Sequence, residues 1–252
     1  MKYAWCSILV VASNVFVASQ ASATPTFEMR VQSAGFNSGT IAGTVDPGGL
    51  SGSVAAAGLV VSGTGGNSFT IGALNGGFDL TPTLMMDLVG SAITHTSDAA
   101  GAVRIYLSLA GLDDPQTPLL FRDEFSGSLA STQLGTRSRA KLFLGNKSFS
   151  TKVQLLDTGL IRSGDAGPDC SLPTDTSFAC DTHKWASVPS DPYSLTQLVV
   201  LKFAKHTENL SEDFEARASD PVPEPGSLAL LASGMFAAAA FGLRRSKRLR
   251  GA

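Results

Sequence analysis

The side chains best suited to chemistry are scattered along this 252-residue chain. Its three histidines, His95, His183 and His206, lack the i, i+4 spacing and flanking glutamate by which a helix presents two metal ligands. No Gly-x-Ser-x-Gly pentapeptide supplies a serine nucleophile. The sequence therefore predicts no catalytic residue, no cofactor and no metal site. We expect a protein that is not an enzyme, with its histidines on the surface or in loops.

Carboxylates are the other candidate groups. Asp113-Asp114 and Asp123-Glu124 are adjacent pairs, but neighbours on a strand point to opposite faces, so neither doublet forms the opposed pair that glycoside hydrolysis needs. A looser acidic set lies near the last two cysteines and comprises Asp165, Asp169, Asp175, Asp181 and Asp191. Such oxygens could hold calcium, although their spacing fits no EF-hand and scattered aspartates commonly stabilise turns.

The cysteines indicate an oxidising compartment. Cys6 lies in the N-terminal segment, which leaves Cys170 and Cys180 with nine residues between them. Outside the cytoplasm such a pair forms a disulfide. A zinc site is the alternative, but two thiols with only His183 nearby do not complete a tetrahedral set. We expect the disulfide.

The N-terminus has the order of a secretory signal peptide. Lys2 is followed by an apolar run from Ile8 to Val17 and then by Ala21-Ser22-Ala23, small residues suited to cleavage after Ala23. An uncleaved anchor helix is the alternative, but the apolar run is short for a membrane span. Residues 1–23 are therefore predicted to direct export and to be removed.

The C-terminus predicts a transmembrane helix. Residues 226–243 carry no charge and as a helix would be about 27 Å long, close to the thickness of the hydrocarbon core. A basic tail, residues 244–250, follows at once and is suited to the cytoplasmic side, with Arg244, Arg245, Lys247, Arg248 and Arg250. A buried core helix is the alternative, and it is disfavoured because five cations abut the apolar run and nothing follows to cover it.

Immediately before this helix stands Pro223-Glu224-Pro225, within residues 222–227. Its prolines disfavour helix, so the segment outside the bilayer is expected to be extended, as a protease requires. The order of motif, apolar stretch and basic end over residues 222–250 resembles the PEP-CTERM sorting signal of Gram-negative bacteria, a segment also named after ice-binding proteins. The resemblance implies recognition of Pro223, Glu224 and Pro225 by an exosortase. It also implies export across the inner membrane, transient anchoring and delivery to the envelope or exterior.

The body, residues 24–221, predicts strands. Polar and apolar residues alternate at Phe27–Val31, Val103–Leu109, Phe149–Leu155 and Phe214–Ala218, and Leu195, Val199, Leu201 and Phe203 share one face. Turn signals separate the strands at Asp46–Gly49, Gly65–Asn67, Asn75–Gly77, Leu112–Pro115 and Gly145-Asn146. The pattern is typical of an all-β antiparallel sandwich, jelly-roll-like or Ig-like.

Glycine is concentrated near the start of the body. Residues 35–77 contain 13 of the 26 glycines, which favours tight hairpins or a flexible arm. Most of residues 45–218 is also similar to the body of many uncharacterised PEP-CTERM proteins, which implies a sandwich without an assigned activity.

Charge excludes one class of partner. Residues 24–225 carry 21 acids and 13 cations, a net charge of −8, so binding to nucleic acid is not expected. By association with the family, the expected role is a structural or adhesive part of an exopolysaccharide matrix. A secreted hydrolase, or a calcium- or carbohydrate-binding module in which Tyr106, Trp185 and Tyr193 contact sugar, is the alternative.

Overall fold

The computed structural model describes residues 24–64, 67–113, 118–128, 136–162, 170–174, 177–188, 192–204 and 207–219. The predicted signal peptide 1–23, the sorting residues 222–227, the apolar segment 226–243 and the basic tail 244–250 lie outside these ranges. Within the ranges, no helix has the length and hydropathy needed to cross a membrane.

The described residues form sixteen strands. The first eight are β1 (Thr26–Ser33), β2 (Phe36–Asn37), β3 (Ile41–Ala42), β4 (Thr44–Val45), β5 (Ser51–Ser62), β6 (Ser68–Asp79), β7 (Leu84–His95) and β8 (Gly101–Leu112). The others are β9 (Leu119–Ser128), β10 (Arg137–Gly145), β11 (Val153–Asp157), β12 (Ile161–Arg162), β13 (Cys170–Thr174), β14 (Ser177–Ala186), β15 (Tyr193–Phe203) and β16 (Thr207–Ser219).

These strands build two antiparallel sheets that pack as a sandwich. Sheet A has the order β11-β10-β15-β8-β1-β2, with β12 beside β10 and β3 beside β1. Sheet B has the order β13-β14-β9-β16-β7-β6-β5-β4. The predicted antiparallel sandwich is therefore confirmed.

The core lies between the inner faces of the sheets. Sheet A contributes alternate residues such as Phe27, Met29 and Leu107, all almost fully buried. In sheet B the rings of Phe125 and Phe214 meet with centroids 5.7 Å apart. This alternation is why the strands form, since each buries one apolar face and leaves the other for polar groups.

A buried glutamine links the sheets at the centre of the core. Gln197 of β15 donates from Nε2 to the carbonyl oxygens of Met86 and Phe214, at 3.1 Å in each case. Because Met86 lies on β7 and Phe214 on β16, these hydrogen bonds join sheet A to sheet B.

Several sequence predictions are confirmed strand by strand. The alternating runs 27–31, 103–109 and 214–218 lie in β1, β8 and β16, with their apolar members buried. The turn at Asp46 is also present, where the Gly49 amide donates to the Asp46 carbonyl at 2.9 Å. Gly49 has φ +70°, a conformation that favours glycine.

Two local predictions are wrong. The run Phe149–Leu155 does not form one strand, because β11 begins only at Val153 and Phe149 lies in a turn with φ +58°. Asn75–Gly77 is not a turn but the interior of β6. A Cβ built on Gly76 would lie 2.6 Å from the Leu107 side chain, so glycine is present there because sheet A approaches closely. The glycine-rich span is accordingly made largely of paired strands, β5 and β6 above all.

Candidate functional site: two charged faces and the strand before the sorting residues

The outer face of sheet A carries a cluster of cations. We call the cationic face the depression of about 460 Å³ lined by four cations, three further polar or aromatic residues and two aliphatic ones. The lining consists of Arg104, Arg139, Lys141, Lys202, Tyr106, Phe143, Thr151, Leu198 and Val200. No carboxylate lines this depression among the described residues.

Strand register brings these residues together in two rows. Val200 of β15 lies between Arg104 of β8 and Arg139 of β10, and Leu198 lies between Tyr106 and Lys141. Phe143, Leu198, Val200 and the half-buried Tyr106 form an apolar cluster separate from the main core. The cationic face is therefore an apolar floor with positive charge on both sides.

Among the described residues, two of the four cations form ion pairs with a carboxylate, and two do not. Arg139 and Lys141 both pair with Asp157 of β11, and the Lys141 Nζ lies 3.1 Å from an Asp157 oxygen. Burial alone would raise the pKa of Asp157, but hydrogen bonds from Arg139, Gly159 and Lys141 outweigh it, so that pKa is lowered. Arg104 and Lys202 form no ion pair with another described residue, so their charges are available to a ligand.

The outer face of sheet B has the opposite charge. We call the acidic face a row of carboxylates in four neighbouring strands, namely Asp87, Glu215, Glu124 and Asp181, together with Asp213. Beside it runs a second row, Arg217, Arg122 and His183. Arg122 donates to both carboxylate oxygens of Asp181, at 2.9 and 2.6 Å, and lies 3.2 Å from Glu124.

Asp87 of this face is half-buried and lies beside a second acid, Asp213. Burial, then the charge and hydrogen bond of Asp213, raise the pKa of Asp87 to about 6. Asp87 therefore changes its charge near pH 6, well above the range of an ordinary aspartate, and a carboxyl with a raised pKa is a candidate general acid. Among the described residues, no group of three histidines, cysteines or carboxylates is arranged to hold a metal ion.

The side chains of Asp123 and Glu124 point to opposite faces of β9, as the sequence predicts. Asp123 points into the core and is fully buried, whereas the Glu124 side chain is 42% exposed on the acidic face. Burial, with the nearby charges of Asp157 and Asp181, raises the pKa of Asp123 well above its ordinary value. Glu212 of β16 is likewise buried, and burial raises its pKa. Neither carboxyl has a hydrogen-bond partner among the described residues. Both side chains point away from the acidic face, so they are not part of it.

Cys170 and Cys180 form the predicted disulfide. The two cysteines lie directly opposite each other in β13 and β14, with Cα atoms 4.0 Å apart. Cys180 is buried against the core, and the bond ties the edge strand β13 to β14. Of the acids around the disulfide, only Asp181 lies within the described residues, and it is engaged by Arg122.

The expectation for the histidines is wrong at His95. Its ring is fully buried and stacks on Phe69 and Phe203, with centroids 4.6 and 5.3 Å away. Its Nε2 lies 3.2 Å from the side-chain oxygen of Asn67. A polar residue between Thr94 and Thr96 gave no sign of this burial, which depends on the aromatic neighbours contributed by β6 and β15. His183 lies on the outer face of sheet B, and His206 lies outside the described residues.

The aromatic residues proposed for sugar binding separate into different environments. Tyr193 is 4% exposed and belongs to the core, so it cannot face a glycan. Tyr106 lies on the cationic face, where the Phe149 ring meets it edge-on with centroids 6.3 Å apart. Trp185 is 53% exposed and lies on the outer face of sheet B.

The last described strand leads towards the predicted sorting residues. β16 lies between β7 and β9 in the middle of sheet B and ends at Ser219, four positions before Pro223. Pro223, Glu224, Pro225 and the basic residues Arg244, Arg245, Lys247, Arg248 and Arg250 lie outside the described residues. The chain thus leaves the domain from a strand that is hydrogen-bonded on both sides.

The chain is similar to a known family in its C-terminal segment and to a solved structure over most of its length. Residues 221–246 match the model of the PEP-CTERM protein-sorting motif. No curated protein matches the chain. Among solved structures, a chain from the structure of infectious bursal disease virus Gx strain matches at 13% identity and a TM-score of 0.29. That match covers 80% of this chain, which spans 57% of the length of the viral chain.

The sorting signal is thus the feature of this chain that a family model identifies. It follows directly on a folded β-sandwich that contains a disulfide. This chain carries a PEP-CTERM protein-sorting motif at residues 221–246, which marks it as a protein exported and sorted by an exosortase-type system to the cell envelope or extracellular space.

Proposed function

We propose that this protein is a non-enzymatic, adhesive component of an exopolysaccharide matrix and that its cationic face binds acidic polysaccharide. The signal peptide 1–23 directs export, and the helix 226–243 holds the chain in the inner membrane. The exosortase then acts near Pro223-Glu224-Pro225 and releases or re-anchors the domain.

The observation that carries this proposal is the composition of the cationic face. Uronate carboxylates pair well with arginine and lysine, and the apolar faces of sugar rings pack on aromatic and aliphatic side chains. Arg104 and Lys202 supply free charges, and Tyr106, Leu198 and Val200 supply the floor. Because the body as a whole is acidic, a polyanion would be attracted to this face and repelled elsewhere.

Cosedimentation with polygalacturonate, using neutral dextran for comparison, tests the proposal. We expect the purified chain to pellet with the polyuronate and not with dextran, and high salt to weaken the binding. The double variant Arg104→Gln/Lys202→Gln should lose binding at least about tenfold, since each charge-assisted contact contributes about 1 kcal/mol or more.

A matched control removes the same charge from sheet B. Lys184→Gln/Arg217→Gln changes two cations that do not line the cationic face, so polyuronate binding should fall little. Equal losses in the two double variants would show that net charge alone governs binding. Failure of the unmodified chain to pellet would refute the adhesive role.

A secreted hydrolase, or a module that binds calcium or carbohydrate, is the alternative, and one observation favours it. Burial and the neighbouring Asp213 raise the pKa of Asp87 to about 6, which gives the acidic face a carboxyl that titrates near that pH. Turnover of a soluble glycan that Asp87→Asn abolishes would establish the enzyme. A melting temperature higher in millimolar calcium than in chelator would establish the calcium module.

The sorting route has its own test. Mass spectrometry of the protein from fractionated cells gives the mature termini. We expect the chain to start at Thr24 and, in the processed fraction, to end near Pro225. Retention of residues 1–23 would contradict export by a cleaved signal. An intact segment 226–252 on every molecule would contradict processing at the motif.

A further inference from the structure

The end of the sandwich from which the sorting segment leaves has an exposed apolar surface. β16 ends at Ser219, which pairs with Leu120 of β9, and Leu120 in turn pairs with Trp185 of β14. These three residues form one row on the outer face of sheet B. Two strand spacings separate Trp185 from Ser219, a distance of about 10 Å. We call this end, marked by Ser219, Leu120 and Trp185, the C-terminal end of the sandwich.

Two other exposed apolar side chains lie at the same end, one just before β5 and one in β11. Leu50 is 49% exposed and lines a depression with Pro25, Leu80 and Leu112, which joins the ends of the two sheets. Val153 is 44% exposed and pairs with Leu144 near the end of β10. Of the four large apolar side chains that are exposed among the described residues, only Val60 lies at the opposite end.

The length of the chain beyond β16 limits how far this end can lie from a membrane. Six residues separate Ser219 from Gly226, where the predicted transmembrane helix begins. Even fully extended, they span at most about 25 Å. While the helix is inserted, the C-terminal end of the sandwich is therefore held within the reach of the headgroup region. Tryptophan is the residue most typical of that region, because it combines an apolar ring with an N–H donor.

The charged side chains at this end have both signs, which suits a zwitterionic lipid surface. Exposed Lys184 directly precedes Trp185 in β14. Asp46 and Asp79 lie beside Leu50 and accept hydrogen bonds from the amides of Ser51 and Thr81, each at 2.8 Å. The hydrogen bonds from Thr81 lower the pKa of Asp79, so it stays ionised at neutral pH. Ionised aspartates disfavour an anionic surface but tolerate phosphatidylcholine, whose headgroup carries a positive choline.

We propose that the C-terminal end of the sandwich rests on the bilayer surface before processing, with the Trp185 ring in the headgroup region. The inference rests on the proposed anchoring through residues 226–243 and adds a second contact, made by the folded domain. Such a contact orients the domain and holds the sorting residues at the membrane surface, where a membrane-embedded protease acts.

The single tryptophan of the mature chain provides the test. The sequence contains only Trp5 and Trp185, so the exported full chain carrying Trp5→Phe reports on Trp185 alone. The protein is reconstituted into phosphatidylcholine vesicles, and flotation measures whether it is anchored. We expect Trp185 emission to shift to the blue and to lose roughly half its intensity with lipid brominated near the headgroup, as for a ring in the interfacial region.

A matched control moves the reporter to the far end. In Trp5→Phe/Trp185→Phe/Val60→Trp the only tryptophan replaces an exposed valine of β5, so its emission should be unchanged by vesicles and not quenched by brominated lipid. Because both sites are exposed, the fold should tolerate these substitutions.

The outcomes separate the two proposals. Protein that floats with the vesicles while Trp185 stays unquenched overturns the domain contact and leaves the anchoring intact. Protein that does not float overturns the anchoring and, with it, the contact. Emission that is already blue-shifted without vesicles and insensitive to brominated lipid shows that protein, not lipid, covers the ring, and it also overturns the contact.

Discussion

At the level of single residues, the raised pKa of Asp87 on the acidic face predicts a pH effect on stability. The folded pKa of Asp87, about 6, lies above its ordinary value of 3.8. Its contribution to stability is therefore fully present below about pH 4 and is lost as the pH rises through 6. Asp87→Asn keeps an uncharged group at all pH values, so we expect it to raise the melting temperature at about pH 8 and to change it little at about pH 4.

The gain should be modest, on the order of 1 kcal/mol, because Asp87 is only half-buried and solvent screens the repulsion. Asp79→Asn serves as the control, since hydrogen bonds from Thr81 lower the pKa of Asp79 and remove any reason for a gain. Similar stabilisation by both variants would mean that net charge, rather than the Asp87–Asp213 pair, determines the pH dependence.

Two adjacent glycines in β6 should differ in how well they tolerate substitution by alanine. A Cβ on Gly76 would lie 2.6 Å from Leu107, whereas one on Gly77 would meet only the Gly52 carbonyl oxygen, at 3.9 Å. Gly76→Ala should therefore destabilise the domain by about 1–3 kcal/mol through overpacking. Gly77→Ala should be neutral or slightly stabilising. Urea denaturation of the two variants checks this, and equal midpoints would argue against close contact between the sheets at Gly76.

At the level of elements, the disulfide predicts how much β13 depends on a covalent link. The bond closes a short loop between β13 and β14, which is worth about 2.5–3 kcal/mol in the chain-entropy model. Cys170→Ser/Cys180→Ser should lower the free energy of unfolding by about that amount, and reduction of the unmodified protein should have the same effect. Since β13 is an edge strand, the rest of sheet B should stay folded.

Hydrogen exchange shows whether loss of the disulfide destabilises β13 alone or the whole domain. Amides of β13 should lose protection in the serine variant, while those of β9 and β16 keep it. Unchanged exchange in β13 would show that its hydrogen bonds hold the strand without the disulfide.

Elements also show what could be predicted from the sequence. β1, β8 and β16 could be predicted because each has one buried and one exposed face, which gives a clear alternation. β6 could not be predicted. Its Gly76 is required by the close packing of sheet A, and a local sequence pattern does not reveal contacts with another sheet. The disulfide could be predicted, because an even pair of cysteines in an exported chain is sufficient to indicate one.

The cationic face was not predicted, for a related reason. Arg104, Arg139 and Lys202 come from three strands and appear in the sequence only as polar residues at alternate positions. They become neighbours because β15 lies between β8 and β10 in sheet A. Strand order depends on contacts between distant segments, which composition and periodicity do not specify.

At the level of the whole molecule, the two sheets give the sandwich opposite outer faces. Sheet A presents an apolar floor with cations, and sheet B presents the carboxylate row. A domain that is acidic overall thus offers one positive surface. Its free cations, Arg104 and Lys202, lie towards the end of sheet A that is opposite the C-terminal end of the sandwich. If this face binds polysaccharide as we propose, adhesion and sorting use different parts of the domain.

The position of β16 predicts that processing leaves this domain intact. A chain that ends after residue 222 keeps all of β16, so it should have the same melting temperature and urea midpoint as the full chain. A chain that ends at residue 204 loses the strand between β7 and β9, along with the buried ring of Phe214, and should not fold. Circular dichroism and thermal melts of both truncations check this. A large loss of stability in the first would mean that residues beyond 222 belong to the folded domain rather than to a removable membrane signal.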